Sequence, residues 1–303
     1  MNPTQFWQNF KLGEEQEIAC NFIYDGLRNL HEMETLSMET EVFPVLYNLS
    51  VGLERLFKVA IVLLEFNDKT DINIFEKSLI THNHLDLLNR IKKSTNINLG
   101  DSHIALLNLL SIFYKTHRYD RFSLQSVTNI SKDKKALHLF LNKYLQIDIT
   151  DDMFGVDNSL RVKKFIGKTV KKITKDIYLI IKESAHAKNL YTDEISSSSS
   201  KAAKILCGGD DILFDYEETA MIEVLAFLMK TKESTLMKVI KDIEPLPLDP
   251  ALDSEYLQFL LKKRTDFSSS IIDEIEDCHS DISDFKNRME IINAIKDPNV
   301  SFG

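Results

Sequence analysis

The residues best equipped for chemistry lie together in one short segment of sequence HRYDRF. It combines an imidazole, His117, with two permanent cations, Arg118 and Arg121, and an aromatic ring, Tyr119. Arginine binds phosphate oxygens through two parallel hydrogen bonds, and an aromatic ring stacks on a nucleobase. A metal-independent ribonuclease needs a base for the 2′-hydroxyl and a cation for the charge that develops on phosphorus. The segment is therefore a candidate phosphate-binding or RNA-cleaving site.

A second candidate is the pair Glu54 and Lys58, four residues apart in a strongly apolar segment. Glutamate placed one turn before lysine on a helix favours an ion pair. The pair has two interpretations: a structural bridge at the edge of the core, or a charged group facing a pocket or a dimer seam. The arginines of the HRYDRF segment could also pair with Asp120 or Glu54 as a structural lock.

Two histidines, His82 and His84, stand at the expected start of a helix that Thr81 would cap. Residues two apart on a helix point to different sides, so this spacing is poor for a shared metal ion. We expect His84 to cap the helix or to bond a facing helix, and we predict no metal site here.

A Gly-Gly-Asp-Asp sequence raises a third possibility at Asp210 and Asp211. Between two short strands it would resemble the metal-binding hairpin of palm-type nucleotide cyclases, where paired carboxylates hold divalent ions. Such a palm needs a further upstream aspartate, and Asp148 is the only candidate. Because residues 159–188 have helical periodicity, and Gly-Gly also suits an ordinary tight turn, the structural interpretation is favoured.

The elements that must position these residues are predominantly helices. A low content of glycine and proline, 9 and 6 residues, favours long helices. Only residues 204–216 alternate with period 2, so the prediction is an all-α fold with at most one short β-hairpin there. Helical spacing of apolar residues predicts helices over about 13–33, 45–66 (with Pro44 at its start), 82–93, 103–117, 131–144, 159–188, 217–231, 233–243, 253–264 and 268–295.

We expect two regions, a helical bundle over 1–150 and a helical C-terminal region over 151–303. Linkers are expected near 193–201, which contains five serines, and near 244–250, which contains three prolines. Residues 205–303 hold 10 basic and 21 acidic side chains, whereas the rest of the chain holds 27 and 25. We therefore expect any polyanion to bind the N-terminal two thirds.

The remaining composition suggests a cytoplasmic protein. Three scattered cysteines indicate neither a disulfide framework nor a metal site. The N-terminal sequence lacks the pattern of a secretion signal, and no apolar run approaches the length of a membrane span. No cofactor is expected.

Three segments within roughly 45–145 resemble the HEPN superfamily, helical domains found beside nucleotidyltransferases and in bacterial toxin and antiviral defence systems. The matching positions are Ser50, Glu54 and Lys58 in an S-x-x-x-E-x-x-x-K pattern, Thr81 to Leu88 in a histidine-containing helix start, and Tyr114, Arg118 and Tyr119 in a Tyr-x-x-x-Arg-Tyr pattern.

The resemblance implies a dimerising bundle in which Arg118 and Tyr119 line a phosphate or nucleotide pocket, with Glu54, Lys58 and His84 as further candidates. Active HEPN ribonucleases carry arginine followed by histidine after four to six intervening residues, and no arginine here does so. The leading expectation is thus a non-catalytic component of a prokaryotic defence or toxin-type system. It would bind a nucleotide, RNA or a protein partner, as a homodimer or in a hetero-complex.

The alternative is a divergent metal-independent endoribonuclease. His117 would be the base, and Arg118 or Arg121 would stabilise the phosphorane. A palm-type cyclase using Asp210 and Asp211 is the third and least favoured reading.

Overall fold

The regular secondary structure of the described chain is helical, as predicted for an all-α protein. The computed structural model describes residues 3–67, 69–120, 122, 124, 132–147, 157–190, 192–197, 200–208, 214–231, 235–261 and 269–297. Outside the helices, an isolated antiparallel bridge joins Thr35 and Asp157. No helix among the described residues has the length and apolar content needed to cross a membrane.

The contacts divide the chain into a first unit, residues 1–214, and a second unit, residues 215–303. This division lies at residue 214, whereas the expected boundary lay at residue 150. The helices of the first unit are α1 (Pro3–Phe6), α2 (Leu12–Glu32), α3 (Glu39–Glu65), α4 (Ile72–Ser78), α5 (His84–Ser94), α6 (Asp101–Ile112), α7 (Arg118–Asp120), α8 (Lys132–Leu145), α9 (Leu160–Ala187), α10 (Asp193–Ser196) and α11 (Lys201–Cys207). Two π-helical segments, Trp7–Lys11 and Phe113–His117, continue directly into or out of these helices.

Helix α3 is the centre of the first unit. It begins at Glu39 rather than at Pro44, which lies inside the helix. The helix packs against α2, α5, α6, α8 and α9, and most of its residues from Val42 to Leu63 are buried. The apolar face of residues 46–64 therefore forms the core of the unit.

Helices α2 and α3 cross at two glycines. A Cβ atom on Gly52 would lie 2.7 Å from Ile23 Cγ1 and 2.9 Å from the Ile23 backbone nitrogen. A Cβ atom on Gly26 would lie 2.8 Å from Leu49 Cγ. The absent side chains let the two backbones approach closely, which fixes the position of α3 against α2.

Helix α9 extends the core beyond residue 150. Its apolar stripe (Val162, Ile166, Val170, Ile173, Ile177 and Ile181) is buried, and the helix packs against α3, α6, α10 and α11. The asparagine that precedes it, Asn158, donates to the backbone oxygens of Leu30 and Met33 at 2.6 and 2.9 Å. The helix predicted over 159–188 is thus confirmed, and it belongs to the first unit.

The expected hairpin at 204–216 is wrong for its described residues. Residues 201–207 form α11, because the Ser200 hydroxyl caps the backbone nitrogen of Ala203 and four residues of the helix are buried. Phe214 begins the next helix. Over so few residues, the same apolar positions are compatible with the period of a strand and with that of a helix. Here the packing of α11 stabilises the helix. The serine run begins at Ser196, the last residue of α10, and ends at Ser200, the N-cap of α11, and both helices pack against α2 and α9.

The second unit consists of short helices with little interior. These are α12 (Phe214–Lys230), which begins one residue before the division, α13 (Thr235–Asp242), a 3₁₀ turn (Pro250–Leu252), α14 (Asp253–Leu261), α15 (Ser269–Ser280) and α16 (Phe285–Lys296). Among its described residues only Met237 and Ile271 are buried. Polar contacts connect the elements: Tyr256 donates to Glu274, and Arg288 donates to the backbone oxygen of Glu244 at 2.6 Å.

Candidate functional site

A pocket of about 380 Å³ opens on the surface of the first unit beside α3. This volume falls within the range of small-molecule sites. Its polar lining residues are Glu15, Glu54, Arg55, Lys58 and His82, and its apolar lining residues are Trp7, Leu12, Val51, Val59, Val62, Leu79 and Tyr114.

Glu54 is the central charged group of this pocket, hereafter the Glu54 pocket. It is only 7% exposed. Lys58 Nζ donates to Glu54 Oε1 at 2.6 Å, as the one-turn spacing predicted. His82 Nδ1 lies 3.0 Å from Glu54 Oε2 and must donate there, because a carboxylate only accepts. Glu54 therefore bridges Lys58 and His82 at the wall of the pocket.

His82 lies on the connection between α4 and α5, just before the N-cap residue of α5. That cap is Asn83, whose side chain accepts from the Leu85 backbone nitrogen, so Thr81 is not the cap. The Thr81 hydroxyl instead accepts from the Asn83 nitrogen at 3.2 Å. This turn holds the His82 ring against Tyr114, with the ring centroids 4.9 Å apart.

Tyr114 connects the pocket to Arg118. The Arg118 guanidinium carbon lies 3.8 Å from the centroid of the Tyr114 ring and 4.6 Å from that of Tyr119. The guanidinium thus contacts two aromatic rings, whose faces attract its positive charge. Arg118 Nε is buried and makes no hydrogen bond within the described residues. Arg118 is therefore positioned by stacking beside the Glu54 pocket.

Both aromatic residues of the pocket come from π-helical turns. Trp7 belongs to the π segment Trp7–Lys11, where its ring contacts Phe66 edge-on at 5.1 Å. Tyr114 belongs to the π segment Phe113–His117. Single π turns inside α-helices occur frequently at functional sites. Two of them bordering one pocket strengthen its candidacy.

A second ion pair lies within the pocket lining. Arg55 Nη1 donates to Glu15 Oε2 at 2.5 Å, joining α3 to α2. Both side chains are partly exposed, about 40% in each case. Together with Glu54 and Lys58 they give the lining two acidic and two basic groups, with His82 as a fifth polar group.

His84, predicted as a further binding residue, lies in the core instead. It is fully buried, and its Nε2 donates to the Ser50 backbone oxygen at 2.8 Å. Its Nδ1 lies 3.1 Å from Ser111 Oγ, which also accepts from the His84 backbone nitrogen. With both ring nitrogens occupied, His84 cannot contact a ligand. This position agrees with the structural role that we expected for His84, a bond to a facing helix.

Burial sets the protonation of this histidine. Desolvation lowers the pKa of His84 from 6.5 to about 4, although the bond to the Ser50 carbonyl acts in the opposite direction. The neutral ring, protonated on Nε2, joins α5 to α3 and α6. It thereby positions the start of α5 and the neighbouring His82.

The other predicted residues fall into two groups. His117 ends the π segment and is half-buried, but it does not line the Glu54 pocket. Arg121, Asp148, Asp210 and Asp211 lie outside the described residues. The palm interpretation also required strands, and the described residues on both sides of Asp210 and Asp211 are helical.

Four polar or aromatic lining residues were not predicted from the sequence: Trp7, Glu15, Arg55 and His82 as a pocket residue. A signal existed for His82, since either histidine could match the family pattern. No local pattern pointed to the others: Trp7 and Glu15 reach the pocket through α2, which packs against both α3 and the first π segment, and Arg55 lies on α3 beside Glu54.

Comparisons with protein-family profiles, with curated proteins and with solved structures gave no match. The chemistry of the Glu54 pocket is therefore argued from its own geometry.

Proposed function

We propose that the first unit binds a nucleotide, free or at the end of an RNA chain, in the Glu54 pocket. The observation that carries the proposal is the group Lys58–Glu54–His82, which lines one open pocket together with Tyr114, the ring on which Arg118 stacks. Such a combination offers contacts for each part of a nucleotide.

The side chains of the pocket are chemically complementary to the base, the phosphate and the ribose of a nucleotide. Trp7 and Tyr114 offer aromatic surface for a planar base, with Val59 and Val62 as apolar neighbours. Lysine and arginine side chains bind phosphate oxygens, and Lys58 keeps two of its three donor hydrogens after pairing with Glu54. Carboxylates such as Glu54 accept hydrogen bonds from ribose hydroxyls and exocyclic amino groups. A purely apolar ligand would remove water from these charged groups without offering them hydrogen bonds in return.

The test is calorimetric titration of the full chain with nucleoside monophosphates, the corresponding nucleosides and inorganic phosphate. We expect saturable binding of at least one monophosphate, and weaker binding of its nucleoside because the phosphate contact is lost. Lys58→Met should reduce the affinity about tenfold or more, since a charge-assisted hydrogen bond contributes roughly 1.5–3 kcal/mol.

The matched control is Lys92→Met. Lys92 is exposed on α5 and does not line the pocket, so this variant removes the same charge elsewhere. Affinity should remain within about twofold of the parent. Absence of binding by every monophosphate, or equal losses in Lys58→Met and Lys92→Met, would contradict the proposal.

A second candidate, cleavage of RNA bound in the same pocket, is favoured by the Glu54–His82 contact. An imidazole oriented by a carboxylate is the usual arrangement of a general base. His82 would accept the 2′-hydroxyl proton, and the 2′-oxygen would attack phosphorus. The 5′-oxygen would leave and take a proton from water, giving a 2′,3′-cyclic phosphate and a 5′-hydroxyl. Here His82 takes the role that the sequence assigned to His117.

Metal-free incubation with single-stranded RNA tests this candidate. Cleavage should fall by about 100-fold or more in His82→Gln. A nucleotide-binding chain that leaves RNA intact would support binding alone.

A role in a prokaryotic defence or toxin-type system rests on the sequence resemblance to HEPN domains. Support comes from the matched residues Glu54, Lys58 and Tyr114, which line one pocket, and from the matched residue Arg118, which stacks on Tyr114. Dimerisation remains part of the proposal. It would use a surface other than the buried face of α3.

A further inference from the structure

The second unit carries an apolar groove between α12 and α14, of about 470 Å³. Eight of its lining residues are Ala220, Met221, Val224, Leu225, Leu228, Leu257, Leu260 and Leu261, and the ninth is Glu217. Neither Val224 nor Leu260 is covered, with exposed fractions of 56% and 61%. We call this surface the α12–α14 groove.

The groove has the shape of a helix-binding site. On α12 its residues recur at 217, 221, 224 and 228, the spacing of one helical face. At about 1.5 Å per residue this stripe is roughly 16 Å long, which matches three turns of a bound helix. A helix laid in an apolar groove binds through residues at the same spacing.

The surroundings of the groove are acidic. Helices α12 and α14 carry Asp215, Glu217, Glu218, Glu223, Asp253 and Glu255 against a single basic residue, Lys230. The second unit as a whole holds 10 basic and 19 acidic side chains, whereas the first unit holds 27 of each. The full net charge of −9 therefore belongs to the second unit.

The negative charge around the groove determines which of the possible occupants would bind favourably. Two copies meeting groove to groove would bring two net charges of −9 together, which opposes association. A partner with lysine and arginine beside its apolar stripe would gain from the same charges. We propose that the α12–α14 groove binds an amphipathic helix of another protein, with an apolar stripe flanked by basic residues.

The proposal also accounts for the small interior of the unit. With only Met237 and Ile271 buried among its described residues, the unit leaves apolar side chains of α12 and α14 exposed. A bound helix would cover them, and exposed contiguous apolar surface of this kind commonly marks an interaction site.

The probe for the test is a synthetic peptide of about 18 residues, with leucine on one helical face and lysine on the other. A second peptide replaces every lysine with glutamate, and a third scrambles the first. Binding of each labelled peptide to the full chain is followed by fluorescence anisotropy. We expect the lysine peptide to bind, the glutamate peptide not to bind, and the scrambled peptide to bind at least tenfold more weakly.

Variants locate the site. The groove variant Val224→Gln/Leu260→Gln removes exposed apolar surface without changing charge, so the fold should be retained. The matched control Ile222→Gln/Met229→Gln alters two side chains of α12 that do not line the groove and are 47% and 74% exposed. Affinity for the lysine peptide should fall about tenfold or more in the groove variant only.

Three outcomes would overturn the proposal. One is equal affinity of the lysine peptide for the groove and control variants, and another is binding of the glutamate peptide as tight as that of the lysine peptide. The third is a dimer in sedimentation that dissociates in the groove variant only, because a second copy would then be the occupant.

Discussion

At the scale of single residues, His82 and His84 lie two positions apart in sequence but in different environments. His82 reaches the Glu54 pocket and remains partly exposed, whereas His84 is sealed between α3, α5 and α6. The sequence indicated that the two point to different sides. It could not decide which side was solvent, because His82 precedes the helix and is positioned by the turn at Thr81.

The buried histidine predicts acid sensitivity. The folded-state pKa of His84, about 4, lies below the unfolded value of 6.5, so the unfolded chain binds the proton first as the pH falls. The free energy of unfolding should therefore decrease from pH 6.5 towards pH 4, by at most roughly 3 kcal/mol from this group. Urea denaturation across this range measures the effect.

The comparison variant for this measurement is His84→Gln. It should be less stable at neutral pH, because the bonds to Ser50 and Ser111 are disturbed, but its stability should change less between pH 6.5 and pH 4. A parallel pH dependence in the parent and in His84→Gln would show that His84 is not the responsible group.

At the scale of elements, the crossing of α2 and α3 predicts that Gly52→Ala is destabilising. Alanine normally favours a helix over glycine, but here its Cβ would approach the Ile23 backbone to 2.9 Å, and a backbone atom cannot move aside cheaply. The expected loss is about 1–3 kcal/mol. Thermal or urea denaturation measures it.

Gly13→Ala is the matched control, because its Cβ would meet nothing closer than 3.7 Å. In α2 this change should be neutral or stabilise by up to about 1 kcal/mol. Loss of stability in both variants, or in neither, would contradict the close approach of α2 and α3.

Most helices were predictable because periodic apolar positions report a buried face directly. The strongly apolar segment at 45–66 was predicted as a helix, and most residues of α3 are buried. The short segment at α11 was misread because period-2 and helical spacing coincide over so few residues. Of the pocket, the sequence predicted Glu54 and Lys58 on α3 and the neighbouring Arg118, whereas Trp7 and Glu15 come from other elements and meet α3 only through tertiary packing.

At the scale of the whole molecule, the two units differ in how they are stabilised. The hydrophobic core runs from Leu12 to Phe214, entirely within the first unit. The second unit concentrates the net negative charge and buries few apolar side chains among its described residues. Composition predicted the acidic C-terminal third, but it could not show that α9 and α11 belong to the first core.

This difference predicts unequal autonomy. A fragment of residues 1–214 should unfold cooperatively with a thermal midpoint close to that of the full chain, because it contains the entire core. A fragment of residues 215–303 should be helical without a cooperative transition. Circular dichroism during heating measures both, and a cooperative transition in the second fragment would contradict this account.

The central claim, a nucleotide in the Glu54 pocket, has a built-in probe. Trp7 is the single tryptophan of the chain and lines this pocket, so its fluorescence reports occupancy directly. Titration with the nucleoside monophosphate that binds tightest should give a saturable change in Trp7 emission, with the same affinity as calorimetry, shifted to higher concentration in Lys58→Met but not in Lys92→Met. Calorimetric binding that leaves Trp7 emission unchanged, or an emission change that Lys58→Met does not shift, would contradict the assignment of the pocket.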